Sequence, residues 1–223
     1  MYRRIPNPVD DSVAEGVLRA RERAGASAAE PVTPPGGILD AIRERRAVRA
    51  YAGGMLDADR VRGLLEAAVC APTAMHLEPW AFVVIQDRAL LKRYSDQAKS
   101  MLIEQSRSTA FPAARQVKML EDPAFNIFYD AGTLIVICRR IDSPFADADC
   151  WLASENLMLA ATAQDLGTCC IGFAVGVLND PEVKRELGIP EDGAAVAPII
   201  VGRPSGSVAP VARKPPQILR WVK

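Results

Sequence analysis

The sequence predicts a layered α/β or α+β domain that is built around a small sheet. Short apolar runs typical of buried strands alternate with helical patterns along the chain. The predicted order is helices, strand, helix, strand, helix, strand, helix, strand. The 223 residues, of which 49% are hydrophobic and 24% charged, can bury a core without a metal or a disulfide staple.

The first half of the body contains two predicted helices, one strand and a charged helix. Asp57 is a predicted N-cap, because apolar residues recur at helical spacing after it, and Pro72 ends that helix. The predicted elements are a short helix over 38–46, the capped helix up to Pro72, a buried strand over 80–85, a charged helix over about 87–105, and a partly helical stretch over 106–126.

The second half contains the most apolar helix of the chain. Residues 148–166 are apolar nearly all round, which is typical of a helix inside the molecule or in a subunit interface. Pro198 interrupts the last apolar run and indicates an edge strand or a bulge. The other predicted features are a buried strand over 133–138, a C-cap at Gly167, a short strand or extended turn over 168–173, a helix from the cap Asn179 to about Leu187, and a strand over 194–201.

Residues 1–36 form a separate predicted segment, an N-terminal arm that is partly helical over roughly 12–24. Prolines bracket its charged, Ala-rich centre, and its apolar residues are few. An arm that leans on a larger body and a loose tail both fit this pattern. The main domain is predicted to span 37–223.

The charge balance limits the classes of partner. Lys and Arg total 27, as do Asp and Glu, so the chain has no broad attraction for nucleic acid or for an anionic membrane. Any anion site must therefore be local. Five cysteines without a CxxC pair favour reduced thiols and a cytoplasmic location. We expect neither a signal peptide nor a transmembrane helix.

Several catalytic classes are poorly supported. The sequence has no GxGxxG motif after a strand, no P-loop and no nucleophile elbow. His76 is the only histidine, and no ligand spacing accompanies it to suggest a metal site. These absences favour a bound cofactor that brings its own reactivity, and no side chain is predicted as a catalytic nucleophile.

The first positive signal is the stretch RERRAVRAY over residues 43–51. Arg45, Arg46 and Arg49 lie within five residues at a helix end. Guanidinium groups so close together suit bidentate capture of a phosphate. A solvated basic helix end, favoured by the helix dipole, is the alternative.

The second signal is the stretch AVCAPTAMHLEPWAFVVI over residues 68–85. A helix stops at a proline, a short polar turn follows, and Pro-Trp leads into a buried strand. Such a turn exposes backbone N–H groups and the Thr73 hydroxyl at the edge of a sheet. A plain helix-to-strand loop is the alternative.

Together these segments resemble the FMN-dependent nitroreductase family of NAD(P)H oxidoreductases. RRAVRAY resembles its RRSxR-type element, and APTAMHLEPW resembles its APSxxNxQPW-type turn. DCWLASENLMLAATAQDLGTCCIGF resembles its central helix and flavin loop, and PIIVGRP with VARKP resembles its last strand and basic tail. The resemblance covers about 37–216. It implies an α+β, three-layer α/β/α fold with a small, mostly antiparallel central sheet, and a homodimer with the flavin at the subunit interface.

The resemblance also implies an FMN site. The arginines would bind the phosphate and ribityl chain and reach the pyrimidine end of the ring, and the turn would lie over the partner's flavin. The loop at 170–172 would lie near N5, the basic tail would contact the phosphate, and Asn126 would contact the ring. The implied residues are Arg45, Arg46, Ala47, Arg49, Pro72, Thr73, Ala74, His76, Asn126, Cys170, Ile171, Gly172, Arg213 and Lys214.

The sequence departs from the family pattern at three positions. Ala47 replaces the usual Ser, His76 the usual Asn, and Glu78 the usual Gln. FMN binding is still expected, but the substrate class is left open. The vicinal pair Cys169 and Cys170 is interpreted as core packing rather than as a redox pair.

The function implied by the resemblance is hydride transfer from NADH or NADPH to a nitroaromatic, quinone or similar small acceptor, by ping-pong chemistry at flavin N5. By hypothesis, Arg46 stabilises negative charge near flavin N1 and O2, and a backbone N–H of the 170–172 loop holds N5. The alternatives are a relative with another flavin reaction, such as dehalogenation or flavin breakdown, and a non-catalytic flavin carrier.

Overall fold

The computed structural model describes residues 37–109 and 111–223. Within these residues the chain forms one four-stranded sheet with helices on both of its faces. The predicted α+β, three-layer fold is therefore confirmed. The predicted N-terminal arm over 1–36 lies outside the described residues.

The sheet is antiparallel throughout. Its strands are β1 (Trp80–Ile85), β2 (Thr133–Arg139), β3 (Gly167–Cys170) and β4 (Ala194–Gly202). Their spatial order is β1-β2-β4-β3, and each neighbouring pair is antiparallel. The strand β3 is consequently an edge of the sheet, and β2 and β4 form its centre.

Seven α-helices occur in the part of the chain that the structure describes. They are α1 (Ile38–Glu44), α2 (Ala58–Ala68), α3 (Arg88–Ser106), α4 (Ala114–Leu120), α5 (Ala146–Thr162), α6 (Val175–Leu178) and α7 (Pro181–Leu187). Two single 3₁₀ turns, Ala74–His76 and Gly172–Ala174, lie within the segments that the sequence singled out as functional. The bounds of the predicted helices shift by a few residues at most ends, as fraying helix termini do.

The sheet separates two hydrophobic cores, and the strand β2 contributes side chains to both. Its side chains alternate, so that Leu134 and Val136 pack on one face while Ile135 and Ile137 pack on the other. The first face is covered mainly by α3, α4, α6 and α7, and the second by α2 and α5. The continuous apolar run of β2 follows from burial on both faces.

One predicted helix cap is confirmed, and two differ from those observed. The Asp57 cap is confirmed, because its carboxylate accepts the N–H of Arg60. The prediction that Gly167 caps the apolar helix is wrong: α5 ends earlier, at the cap Ala163, and Gly167 begins β3. The cap of α7 is Asp180, whose carboxylate accepts two backbone N–H groups, while Asn179 ends the preceding helix α6.

Pro198 lies in a central strand, so the prediction of an edge strand is wrong. It pairs with Val136 of β2, and its carbonyl accepts the N–H of Ile171 at 2.8 Å. The register between β2 and β4 shifts at Ile137/Cys138, so a bulge does lie beside the proline. A bulge leaves a residue outside the regular ladder, which accommodates irregular pairing near a residue without an N–H.

No helix in the described ranges is both long enough and apolar enough to cross a membrane. The longest helix, α3, has 19 residues and carries charged side chains along its length.

Candidate functional site

The arginine-rich segment lies along the exposed edge of the sheet. Val48 N–H donates to the carbonyl of Thr168 in β3 at 2.9 Å, and Ala47 forms a bridge with the same residue. Farther along, Ala52 N–H donates to the carbonyl of Arg203 at 2.9 Å. These bonds satisfy part of an otherwise open strand edge and hold the arginines in a fixed register relative to the sheet.

A missing Cβ allows this close approach. A Cβ built on Gly167 would lie 2.6 Å from Cγ2 and 2.7 Å from Cβ of Val48, both closer than van der Waals contact permits. A Cβ on Gly202 would likewise lie 3.0 Å from the ring of Tyr51. The two glycines therefore form the surface on which residues 47–52 rest.

Tyr51 fastens the end of the segment. Its hydroxyl donates to the carbonyl of Val48 at 2.9 Å. Burial raises the pKa of Tyr51, so the hydroxyl stays protonated and remains a donor at any physiological pH. The turn that carries Arg49 is closed by this bond.

Arg45 is oriented by an acid of the apolar helix. Its Nε lies 3.2 Å from Oε1 of Glu155 in α5, and the two side chains are 25% and 45% exposed. An ion pair this exposed contributes little to stability, but it holds the guanidinium in one direction. The remaining Nη donors stay available for an anion.

Arg46 turns back on its own helix end. Its Nη1 donates to the carbonyls of Arg43 and Arg45. Its Nε is buried and has no hydrogen-bond partner within the described residues. The side chain borders a cavity of about 250 Å³ whose wall also includes Glu44 and Asp165. With two acids in that wall, the cavity is not a purely cationic pocket.

Arg49 is exposed and connects the segment to a second loop. Its guanidinium lies 5.9 Å from the ring centroid of Tyr129, and among the described residues it forms no ion pair. A guanidinium over an aromatic face is a favourable contact that leaves its edges free to donate. Of the three arginines, Arg49 is therefore the least committed to protein partners.

The loop that carries Asn126 is held by helix α3. Lys99 is buried and donates through Nζ to the carbonyls of Asp122 and Phe125 at 2.8 and 2.9 Å. The Ser95 hydroxyl accepts the N–H of Ile127 at 3.0 Å. Two buried polar groups of one helix thus fix the path of the chain before it reaches β2.

Asn126 uses its side chain within its own loop. Its Nδ2 donates to Oδ1 of Asp130 at 2.9 Å, and its Oδ1 accepts the N–H of Phe128 at 2.9 Å. Tyr129 and Asp130 have φ values of 51° and 57°, which the Asn126 bonds help to maintain. The prediction that Asn126 contacts the flavin ring is not tested by this arrangement.

The predicted turn over 72–79 has an unusual backbone. Met75, His76 and Glu78 have φ values of 56°, 54° and 42°, all in the left-handed region although none is glycine. Ala74 N–H lies 3.2 and 3.3 Å from the two carboxylate oxygens of Asp149 in α5. The side chains of Met75 and His76 are exposed.

The end of β3 carries a buried thiol, Cys169, and a half-buried one, Cys170, and an exposed glycine follows. Burial raises the pKa of Cys170 to about 11, and burial also raises the pKa of Cys169. Both thiols therefore stay protonated near neutral pH, which supports the interpretation as packing. Ile171 N–H is bound to the carbonyl of Pro198, whereas Gly172 is exposed and begins a 3₁₀ turn.

The basic tail joins this cluster at its first residue, because Ser205 N–H donates to the carbonyl of Ala50 at 3.0 Å. Residues 205–223 contain no helix or strand, and Arg213 and Lys214 are exposed. Within the described residues, no hydrogen bond or ion pair joins the side chain of Arg213 or Lys214 to the arginine-rich segment. The structure thus brings together the segment 45–51, the strand β3 and the loop at 126–130, and it does not bring Arg213 or Lys214 to them.

The sequence does not identify three functional candidates. Asp149 and Glu155 lie within the predicted apolar helix over 148–166, and Tyr129 lies between the predicted elements. The signal for the two acids was present, since a carboxylate within an apolar helix needs a specific partner. No comparable signal marked Tyr129. Among the described residues, no cluster of three or more His, Cys, Asp or Glu side chains could hold a metal ion.

The fold and the site define a class of protein: a three-layer α+β domain whose open sheet edge carries an arginine-rich segment. A family model described as the Nitroreductase family matches residues 42–203. The chain belongs to the nitroreductase family, and the predicted family is confirmed.

Known proteins of similar sequence and structure agree with this assignment. A crystal structure of a nitroreductase with bound FMN from Bacteroides fragilis is 26% identical, with a TM-score of 0.71, and the match covers 84% of this chain and 100% of that one. A protein of Archaeoglobus fulgidus, provisionally named NADH dehydrogenase/NAD(P)H nitroreductase, is 26% identical over 74% of this chain and 84% of its own length. A nitrobenzene nitroreductase of Ectopseudomonas oleovorans is 25% identical over 74% of this chain and 86% of its own length.

The contact between Gly167 and Val48 yields a stability prediction. Gly167→Ala is expected to lower the free energy of unfolding by about 1–3 kcal/mol, because the new Cβ overlaps the buried Val48 side chain. Adding Val48→Ala should recover part of the loss, because two of the overlapping atoms are removed. Urea unfolding measures both effects. Gly63→Ala, with nothing within 4 Å of its Cβ, is the matched control and should not destabilise. Full stability of the Gly167→Ala variant would contradict the packing argument.

Proposed function

We propose that the protein is an FMN-dependent oxidoreductase that passes a hydride from NADH or NADPH to a nitroaromatic, quinone or similar small acceptor. The observation that carries the proposal is the arginine-rich segment, which lies against β3 and presents Arg45 and Arg49 on a chain with no net charge. Family membership supports FMN as the cofactor. The names of the relatives support NAD(P)H as the reductant and a nitro compound as an acceptor.

The donors present fit a phosphorylated, ring-bearing anion. Arg45 keeps its Nη groups free beside Glu155, and Arg49 has no ion-pair partner among the described residues. Gly172 offers an exposed stretch of backbone at the other end of β3. These residues would hold FMN, with Arg213 and Lys214 as further phosphate ligands. When bound, FMN supplies a group that accepts hydride, which amino-acid side chains do not provide.

The protein side chains bind, orient and balance charge. We propose that Arg49, rather than Arg46, stabilises negative charge beside the pyrimidine end of the cofactor. The Nη1 of Arg46 is already bonded to two backbone carbonyls, whereas Arg49 lies over the ring of Tyr129 and has no ion-pair or hydrogen-bond partner among the described residues. A guanidinium without a competing carboxylate is the stronger electrostatic stabiliser.

We further propose that the active form is a homodimer with the cofactor at the subunit interface. Large apolar side chains are exposed at two places among the described residues. Ile38 and Leu39 of α1 are 72% and 60% exposed, and Leu219 and Trp221 of the tail are 100% and 74% exposed. Neighbouring exposed apolar side chains are typical of an interface. The predicted cytoplasmic location stays a prediction.

The absorbance spectrum of the purified protein tests the proposed reaction. After incubation with FMN and desalting, about one FMN per chain should remain, and anaerobic NADH or NADPH should bleach it. Addition of a nitroaromatic or a quinone should restore the colour. Failure to bleach would favour a non-catalytic carrier. Bleaching that only a halogenated aromatic reverses would favour dehalogenation, and consumption of the FMN itself would favour flavin breakdown. Failure to retain FMN would overturn the proposal.

Removing the guanidinium groups of Arg45 and Arg49 tests whether these residues bind FMN. The double variant Arg45→Ala and Arg49→Ala should weaken FMN binding by at least about tenfold, because each charge-assisted hydrogen bond contributes about 1.5–3 kcal/mol. Fluorescence titration of FMN measures the dissociation constant. Arg62→Ala is the matched control, since Arg62 is an exposed arginine that pairs only with Asp59. Unchanged affinity in the double variant would contradict the assignment.

The oligomeric state tests the proposed dimer. Sedimentation velocity should give twice the 24.1 kDa mass of the chain. Trp221→Glu should shift the equilibrium towards monomer, because it places a charge on the proposed apolar contact, whereas Trp221→Phe should leave the dimer intact. A monomer that retains a full complement of FMN would contradict this proposal.

A further inference from the structure

We propose that Asp149 is a positioning residue that holds the turn over 72–79 in the conformation that presents His76 and its neighbours to the acceptor. This inference rests on the proposed function for its catalytic consequence and on the structure for its geometry. Asp149 acts on the backbone of the turn, through the N–H of Ala74.

The surroundings of Asp149 are unusual for a carboxylate. Its side chain is buried, with 4% of the residue exposed, and within the described residues it has no cationic partner. Both of its oxygens lie within 3.3 Å of Ala74 N–H. Its place in the first turn of α5 brings support from the helix dipole. Burying a carboxylate with so few partners costs free energy. The contact of Asp149 with Ala74 N–H therefore has a use beyond stability.

The turn that Asp149 contacts needs an external constraint. Met75, His76 and Glu78 all have left-handed backbone conformations, each of which costs free energy in a residue with a Cβ. Such a conformation persists only when the surrounding structure determines it. The Asp149 contact fixes the start of the turn, immediately before the first of the three strained residues.

Arg140 fixes the other end of the turn. Its Nε and Nη2 lie 3.3 and 3.4 Å from the carbonyls of Trp80 and Glu78, and its N–H donates to the carbonyl of Pro79 at 2.7 Å. With both ends held by residues outside the turn, the strained centre has little freedom. The centre presents Met75, 83% exposed, and the exposed side chain of His76.

Asp149 thereby links helix α5 to acceptor binding. If the turn of one subunit lies over the cofactor of the other, its outward side chains contact the acceptor. Loosening the turn should then weaken acceptor binding while leaving cofactor binding and hydride delivery from NAD(P)H largely unchanged. This pattern separates a positioning residue from one that only supports the fold.

Residue-resolved hydrogen exchange is the direct test. In Asp149→Ala, the Ala74 amide should exchange at least about tenfold faster than in the wild type, because its only acceptor is gone. Asp149→Asn keeps an oxygen that can accept and should restore much of the protection. Asp147→Asn is the matched control. Asp147 lies two residues earlier in the same helix but pairs with Arg139 at 3.0 Å, so this substitution should leave the exchange rate of the Ala74 amide unchanged.

Kinetics of the FMN-loaded variants provide the second readout. Asp149→Ala should raise the KM for the acceptor by about tenfold, with the rate of cofactor reduction by NAD(P)H changed less than twofold. If Asp149→Ala fails to fold, Asp149→Leu, which fills a similar volume but has no acceptor, takes its place, and a rise in acceptor KM in that variant but not in Asp147→Asn supports the proposal. Unchanged exchange at Ala74 in a folded variant that lacks the acceptor, Asp149→Ala or Asp149→Leu, overturns the inference, as does an unchanged acceptor KM in that variant. The exchange experiment needs no flavin, so a failure of FMN binding would be recognised separately.

Discussion

The close packing of Val48 against the backbone of Gly167 is the constraint on which the candidate site depends. Gly167 lets Val48 pack directly on β3, and the hydrogen bond from Val48 to Thr168 then sets the register of the arginines. Arg45 is brought to α5, and Arg49 is brought to Tyr129. The position of the charged groups is therefore decided by backbone packing, because the guanidinium groups themselves repel one another and cannot assemble unaided.

Helix α5 contacts both halves of the candidate site. Its buried face, with Ala153 and Leu157, packs on the sheet, while two of its acids contact other segments. Glu155 orients Arg45, and Asp149 holds the start of the turn. Because a packed helix moves as a unit, the two segments are coupled in position although they are far apart in the sequence.

The sequence carried most of the fold but only part of the site. Apolar runs located all four strands, and the Asp57 cap was predicted correctly, because these signals are local. Pro198 left an edge strand and a bulge open, and only the bulge is observed, because strand order depends on tertiary pairing that a local pattern does not contain. The spacing of its arginines identified the arginine-rich segment, and the family resemblance implied its role. The partners of those arginines, Glu155 and Tyr129, became visible only in three dimensions, because each contact joins segments distant along the chain.

The left-handed backbone at His76 has a consequence for how this enzyme can diversify. Histidine and asparagine are both several-fold enriched in that conformation, so exchanging one for the other alters the outward chemistry without redirecting the main chain. A β-branched residue at the same position would instead meet a steric penalty. Histidine and asparagine can therefore replace one another here at little folding cost, and the side chain that this exposed turn presents can change on an unchanged backbone.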